Sequence, residues 1–178
     1  MSAAYILIGS SGSGKTTLLR RVVRDFFPDL VYAHFDDFPA PSREEVERNG
    51  GTEQWQTYNA YEWIRRTAEA NTQLTVLDAQ ARPSVLQRAA SKYALPALHI
   101  TLLDCGHEER RRRLLQRSPE LDQLDTYAWA AYLRGQADAL GLEIIDTTSS
   151  SLEVNTKELA RSIERFARAI NTPLNGAA

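Results

Sequence analysis

Eight residues, Gly9-Ser10-Ser11-Gly12-Ser13-Gly14-Lys15-Thr16, constrain this chain more than any other segment. They satisfy the pattern GxxxxGK[ST] in full. The apolar run 5–8 precedes them, and Leu18, Leu19, Val22, Val23 and Phe26 follow at helical spacing. Strand, glycine-rich loop and helix in that order specify one βα unit. Glycines let the loop curl until successive backbone N–H groups face one centre, a concavity suited to an anion. The positive end of the following helix adds to that field. A glycine–serine turn could share the letters, but the complete motif in this context points to a phosphate loop. Gly9, Ser10, Ser11, Gly12, Ser13, Gly14, Lys15, Thr16 and Thr17 would then surround a nucleotide's phosphates. Lys15 would bridge the β- and γ-phosphates, and the Thr16 hydroxyl would ligate Mg²⁺.

The remaining chain repeats the alternation. Apolar runs at 30–35, 74–77, 98–103 and 142–145 have strand length, and they are continuous, as in strands buried on both faces. Helical patterns occupy 15–26, 53–70, 83–93, 107–117, 126–140 and 151–170, with Pro83 where a helix accepts proline. These predict a three-layer α/β domain over residues 1–170: a five-stranded parallel sheet, the phosphate-loop strand in its middle, helices on both faces. Residues 171–178 read as a frayed tail. Segment 36–52, with Pro39, Pro41, Gly50 and Gly51, reads as a long loop, and 118–125 as a shorter break.

Composition narrows the function classes. The 178 residues suit one domain, and 43% apolar with 25% charged content excludes disorder or a coiled-coil rod. A net charge of −2 announces neither a nucleic-acid nor a membrane surface. Of 21 basic residues only Lys15, Lys92 and Lys157 are lysine. Arginine suits a bidentate grip on phosphate, although a GC-rich genome produces the same bias. Cys105 alone excludes an internal disulfide and a multi-thiolate zinc site. The start of the chain lacks a basic leader, and no stretch approaches the ~20 apolar residues of a membrane span. A soluble cytoplasmic monomer or homodimer is expected.

Four further groups carry candidate chemistry. Asp78 closes the third strand, where a carboxylate can hold Mg²⁺ directly or through water, or else cap the next helix. Asp36 or Asp37, after the second strand, could take the proton of an acceptor hydroxyl, the other serving as a turn residue. His34 beside them is read as a packed strand histidine. Arg110, Arg113 and Arg117 share one face of a helix, from which they could meet a triphosphate or pair with Glu108 and Glu109 at the surface. Arg134 on the next helix could complete that clamp. Trp55, Tyr58 and Glu62 share a face after the long loop, where aromatic rings either stack on a substrate or pack the core.

In this order the residues resemble the P-loop small-molecule and nucleotide kinases, a superfamily that includes nucleoside monophosphate, gluconate and shikimate kinases and chloramphenicol phosphotransferase. The resemblance runs over residues 4–170. Asp78-Ala79-Gln80-Ala81-Arg82 is similar to the Asp-Gly-Phe-Pro-Arg motif of monophosphate kinases, in which the arginine holds the acceptor's phosphate. Only the two ends of that motif survive, which implies an acceptor contact for Arg82 and disfavours a monophosphate acceptor. Asp36-Asp37 resembles the acid that acts on an acceptor hydroxyl. Residues 107–125 resemble the arginine-bearing lid, and 36–70 the acceptor-binding region containing Trp55 and Tyr58. Ile144–Thr148 resembles the segment whose backbone lines adenine, which implicates Thr147. The text around Trp55, 78–84 and 129–134 is similar to uncharacterised small bacterial ATPases of this type. ATP, Mg²⁺ and a small-molecule acceptor are thereby implied.

Other nucleotide-binding classes fit less well. The Asn-Lys-x-Asp guanine reader of GTP switches has only Asn155-Thr156-Lys157-Glu158 as its nearest text. Motor ATPases end the acidic strand with Asp-Glu, whereas Ala79 follows Asp78. A Leu-Ser-Gly-Gly-Gln-type transporter signature is absent. The expectation is a kinase transferring the γ-phosphoryl of ATP. An ATP hydrolase or switch is the alternative, as is a kinase of nucleic-acid 5′-hydroxyl ends, against which the acidic run 44–47 weighs.

Overall fold

Every side chain of β1 (Ala3–Ile8) is buried, and alternate residues feed two separate cores. Ala4, Ile6 and Ile8 face one side, where they meet Ala60, Ile64, Leu86 and Leu133. Ala3, Tyr5 and Leu7 face the other, against Leu18, Leu19, Val22, Leu159 and Ile163. A strand with helices on both faces has no polar side to show, which is why its sequence is a run rather than an alternation.

A computed structural model describes residues 2–37, 42–48, 50–70, 72–172 and 174, excepting the side chains of Asp36 and Arg43. Five strands, β1, β2 (Val31–His34), β3 (Leu74–Ala79), β4 (Ala97–Asp104) and β5 (Glu143–Asp146), form one parallel sheet in the order β2-β3-β1-β4-β5. Helices α1 (Lys15–Phe26) and α7 (Leu152–Ala169) cover one face. Helices α3 (Thr52–Glu69), α4 (Pro83–Lys92) and α6 (Leu124–Leu140) cover the other. The three-layer architecture and the central position of the phosphate-loop strand are as expected. Because all five strands run the same way, their carboxyl ends share one edge, and register sets His34 beside Asp78 and Asp104 beside Asp146.

Local structure departs from expectation in two loops. Segment 36–52 is not structureless: a 3₁₀ turn spans Phe35–Asp37, and helix α2 spans Arg43–Arg48. Ser42 opens α2 through a capping box, its hydroxyl accepting from the Glu45 N–H while Glu45 accepts from the Ser42 N–H at 2.8 Å. Pro39 and Pro41 lie outside the described residues. The break after α5 (His107–Arg117) holds a 3₁₀ turn at Pro119–Leu121. Of the expected tail, Leu174 packs on the α1–α7 core, whereas Pro173 and residues 175–178 lie outside the described set.

Beneath that core a polar network joins four elements, β1, β4, β5 and α7. The Tyr5 hydroxyl donates to Ser162 Oγ at 2.7 Å, and Ser162 donates to Glu143 at 2.5 Å. His99 lies 3.1 Å from the same carboxylate oxygen, and Arg165 reaches the other at 2.5 Å. These contacts, that with His99 foremost, hold the Glu143 pKa at about 2 against an ordinary 4.5. A depressed carboxylate stabilises the fold above its unfolded pKa and loses that contribution as pH falls through the folded one. Glu143→Gln should therefore lower stability at pH 7 and remove part of the wild-type acid sensitivity between pH 4.5 and 2. Parallel denaturant titrations across that window check both points; identical slopes would refute the assignment.

Candidate active site

The phosphate loop is shaped by what its glycines allow. Gly12 and Gly14 have φ of 79° and 95°, in the left-handed region that side chains rarely enter. A Cβ at Gly9 would run into the Leu103 carbonyl oxygen, so Gly9 seats the loop on β4. Gly14 is also the N-cap of α1, and a glycine cannot cap with a side chain. The first-turn N–H groups of α1 are thus left to whatever the loop encloses. Lys15 is folded back, its Nζ donating to the Gly9 carbonyl at 2.7 Å. The Ser13 hydroxyl is buried with no partner within the described chain, as suits a group whose partner is a ligand.

Two cavities open from this loop at the carboxyl edge of the sheet. The larger, of about 610 Å³, is bounded by residues 10–17, Arg113 and Arg117 of α5, and Thr147, Ser150 and Asn155 after β5. The smaller, of about 270 Å³, is bounded by Lys15, Thr16, Arg20, His34, Asp37 and Asp78. Lys15, Thr16 and Gln80 line both. At their junction the Thr16 hydroxyl donates to Asp78 Oδ2 at 2.6 Å, so its lone pairs face away from the carboxylate. Asp37 accepts the His34 backbone N–H at 2.8 Å and lines the smaller cavity. The side chain of Asp36, the alternative base, lies outside the described residues.

No protein-family model matches this sequence, and no curated protein does. Solved structures do. A sugar kinase from Janibacter sp. HTCC2649 superposes with a TM-score of 0.62 at 20% identity, covering 96% of this chain and 98% of that one. A gluconokinase from Sinorhizobium meliloti 1021 gives 0.66 at 15%, covering 96% of each. A shikimate kinase from Aquifex aeolicus vf5 gives 0.56 at 17%, covering 93% and 98%. The fold is that of the P-loop small-molecule kinases.

Within this fold the three face-sharing arginines of α5, Arg110, Arg113 and Arg117, divide into different tasks. Arg110, expected at the nucleotide, is 2% exposed and committed to protein. One guanidinium nitrogen donates to Ser10 Oγ and to the Ser11 carbonyl at 2.9 Å, the other to Asp104 at 2.6 Å and the Cys105 carbonyl at 3.0 Å. It braces the phosphate loop from behind and does not line the larger cavity. Arg113 donates to Ser13 O at 3.1 Å and Thr147 O at 2.7 Å, tying the loop to the segment after β5 at the cavity wall. Glu109 holds it at 2.7 Å and is itself kept at a pKa of about 2 by Arg112 and Arg113. Arg117 is exposed and lines the cavity. Arg134 pairs with Asp138 at 3.2 Å and Asp104 at 3.6 Å and borders neither cavity.

The acceptor candidates also separate. Trp55 packs edge-on against Phe35, the residue that starts the turn carrying Asp37. Tyr58 is 69% exposed and lines a shallow groove with Tyr61, Lys92 and Tyr93 on the outer surface of α3 and α4. Trp55 and Tyr58 therefore do not form one aromatic wall. Arg82 lies over the stacked rings of Trp129 and Tyr132, 5.3 Å and 5.8 Å from their centroids, and pairs with Glu53 at 3.2 Å. His34 is the functional candidate that sequence reasoning passed over, because nothing marks a lone strand histidine as a neighbour of Asp78. Gln80 was likewise missed.

The arginine assignments are separable by experiment. Arg110→Met should cost about 3 kcal/mol of stability in denaturant titration, because it strands Asp104 and the loop carbonyls. Arg117→Ala should leave stability within about 0.5 kcal/mol and weaken ATP binding several-fold in calorimetry. The reverse pattern would exchange their roles.

Proposed function

We propose that this protein is an ATP-dependent kinase that phosphorylates a hydroxyl of a small-molecule acceptor. The observation that carries this is the junction of the two cavities at Lys15 and Thr16, with Asp78 and Asp37 bounding the smaller one. One cavity suits a nucleotide whose phosphates lie in the loop. The other presents a carboxylate to whatever enters beside the terminal phosphate. The fold neighbours, described as sugar, gluconate and shikimate kinases, support the same class.

The donor set fits the expected metal. Thr16 and Asp78 offer hard oxygen ligands, and among the described residues no cluster of three or more His, Cys, Asp or Glu side chains forms a self-sufficient metal site. Mg²⁺ is typically held by one or two such groups together with substrate phosphates. When bound, it would neutralise charge on the β- and γ-phosphate oxygens. In the reaction the acceptor oxygen bonds to the γ-phosphorus as the bond to the bridging β–γ oxygen breaks, and ADP leaves with that electron pair. Asp37 takes the hydroxyl proton. Lys15 leaves the Gly9 carbonyl to meet the γ-phosphoryl, and Arg113 and Arg117 hold the nucleotide side. Residues 36–70 form the acceptor side and 107–125 the lid.

Lys15→Ala should reduce turnover by at least about 10²-fold with the fold intact. Asp37→Asn should preserve ATP affinity while lowering transfer about 10²- to 10⁴-fold. ATP consumption with Mg²⁺, measured against sugars, sugar acids, nucleosides and aminoglycosides, tests the class directly. An acceptor-dependent rise with a phosphorylated product is expected, and wild-type turnover in Lys15→Ala would refute the site. One feature favours a hydrolase as second reading: Gln80 lines both cavities, from which a side-chain amide can orient water. Acceptor-independent ATP loss that disappears in Gln80→Ala would select it.

A further inference from the structure

We infer that His34 is a positioning residue for Asp78, locked by Tyr32 so that its Nδ1–H holds the carboxylate against Thr16. The inference rests on the assignment of Thr16 and Asp78 as the metal-binding pair. Three observations bring it about. His34 closes the edge strand β2 and is the register partner of Asp78 on β3, so the backbone itself sets the two side by side. Its Nδ1 lies 3.3 Å from Asp78 Oδ2, the oxygen that also accepts the Thr16 hydroxyl. Its Nε2 is hydrogen-bonded to the Tyr32 hydroxyl, and the two rings meet edge to face at 4.7 Å.

The chemistry of these partners selects one tautomer. A carboxylate only accepts, so the proton belongs on Nδ1, and in the neutral ring the Nε2 lone pair then receives the Tyr32 O–H. Arg20 lines the same small cavity. The contacts therefore run from Tyr32 to His34 to Asp78, and Thr16 closes on the same carboxylate oxygen. With the Thr16 hydroxyl and a protonated Nδ1 both at Oδ2, the rotation of the carboxylate is restricted. The same contacts keep the Thr16 O–H pointed at Asp78, which leaves the hydroxyl lone pairs for a cation. The His34 N–H to Asp37 bond adds the candidate base to the same strand end, so β2 positions both carboxylates. Groups of this outer kind typically change metal affinity 10- to 100-fold.

An amide pair separates the two ring nitrogens. Asparagine places its Nδ2–H where Nδ1–H stood, whereas glutamine places its donor where Nε2 stood. Mn²⁺ binding would be followed by electron paramagnetic resonance, with a non-hydrolysable ATP analogue present. Analogue binding in EDTA would be measured alongside. His34→Gln and His34→Ala should weaken Mn²⁺ about tenfold or more, while His34→Asn stays within about twofold of wild type. Metal-free analogue affinity should be equal in all four proteins. Mn²⁺ affinity unchanged in His34→Gln, or equally weak in His34→Asn, would overturn the positioning role. If the wild type binds the analogue but no Mn²⁺, the Thr16–Asp78 assignment falls and takes this inference with it. Because the two amides have similar polarity, their contrast does not depend on His34→Ala being well folded.

Discussion

One buried guanidinium decides where the phosphate loop sits. Arg110 links Ser10 and Ser11 of the loop to Asp104 and Cys105 at the end of β4. A glycine- and serine-rich loop has little apolar surface with which to anchor itself. Its position must then be set through carbonyls and hydroxyls on the outer side, which calls for a donor with several N–H groups in fixed geometry. A lysine could supply charge there but not four divergent bonds. Gly9 meets the same demand by steric means, since nothing larger fits between the loop and Leu103. Gly12 does so next to Arg110 itself, where a Cβ would lie 3.0 Å from the arginine Cγ.

The parallel sheet then distributes the chemistry. Each strand but β1 delivers one polar group to the common edge: His34 from β2, Asp78 from β3, Asp104 from β4 and Asp146 from β5. They are not equivalent. Those on the β2–β3 side line or border the small cavity, whereas Asp104 is spent on Arg110 and Asp146 accepts from Thr148. On the proposed reading, the metal and acceptor would lie on one side of β1 and the nucleotide on the other. The phosphate loop, rising from the central strand, borders both, as does Gln80 at the end of β3.

How much of this was legible in the sequence depended on the range of the interaction involved. Continuous apolar runs identify strands buried on both faces, and GxxxxGK[ST] identifies the loop, because both signals are local. Spacing places Arg110, Arg113 and Arg117 on one helical face, but it does not say which end of α5 lies under the loop. Arg110, one turn earlier, is buried behind it, and Arg117, two turns later, reaches the cavity. The same limit separates Trp55 from Tyr58, three residues apart yet turned to Phe35 and to solvent respectively. His34 was invisible because its relation to Asp78 runs across strands, through a register that only the folded sheet defines. Helix α2 was missed for a different reason: six residues between Pro41 and the Gly50–Gly51 pair are too few for periodicity, although Ser42 and Glu45 carry its capping signal.

The charge arrangement on the acceptor side follows from these placements. Arg82 would be the natural grip for an anionic acceptor, but Glu53 offsets its charge and the Trp129–Tyr132 pair occupies its face. Arg134 is likewise held between Asp104 and Asp138. Among the described residues the cations lining the small cavity are thus Lys15 and Arg20, and Lys15 donates to the Gly9 carbonyl of the loop. An acceptor carrying a carboxylate or phosphate would have to compete with Glu53 for Arg82. A neutral hydroxylated acceptor would face no such competition, and it would find Asp37 beside the turn that Trp55 supports.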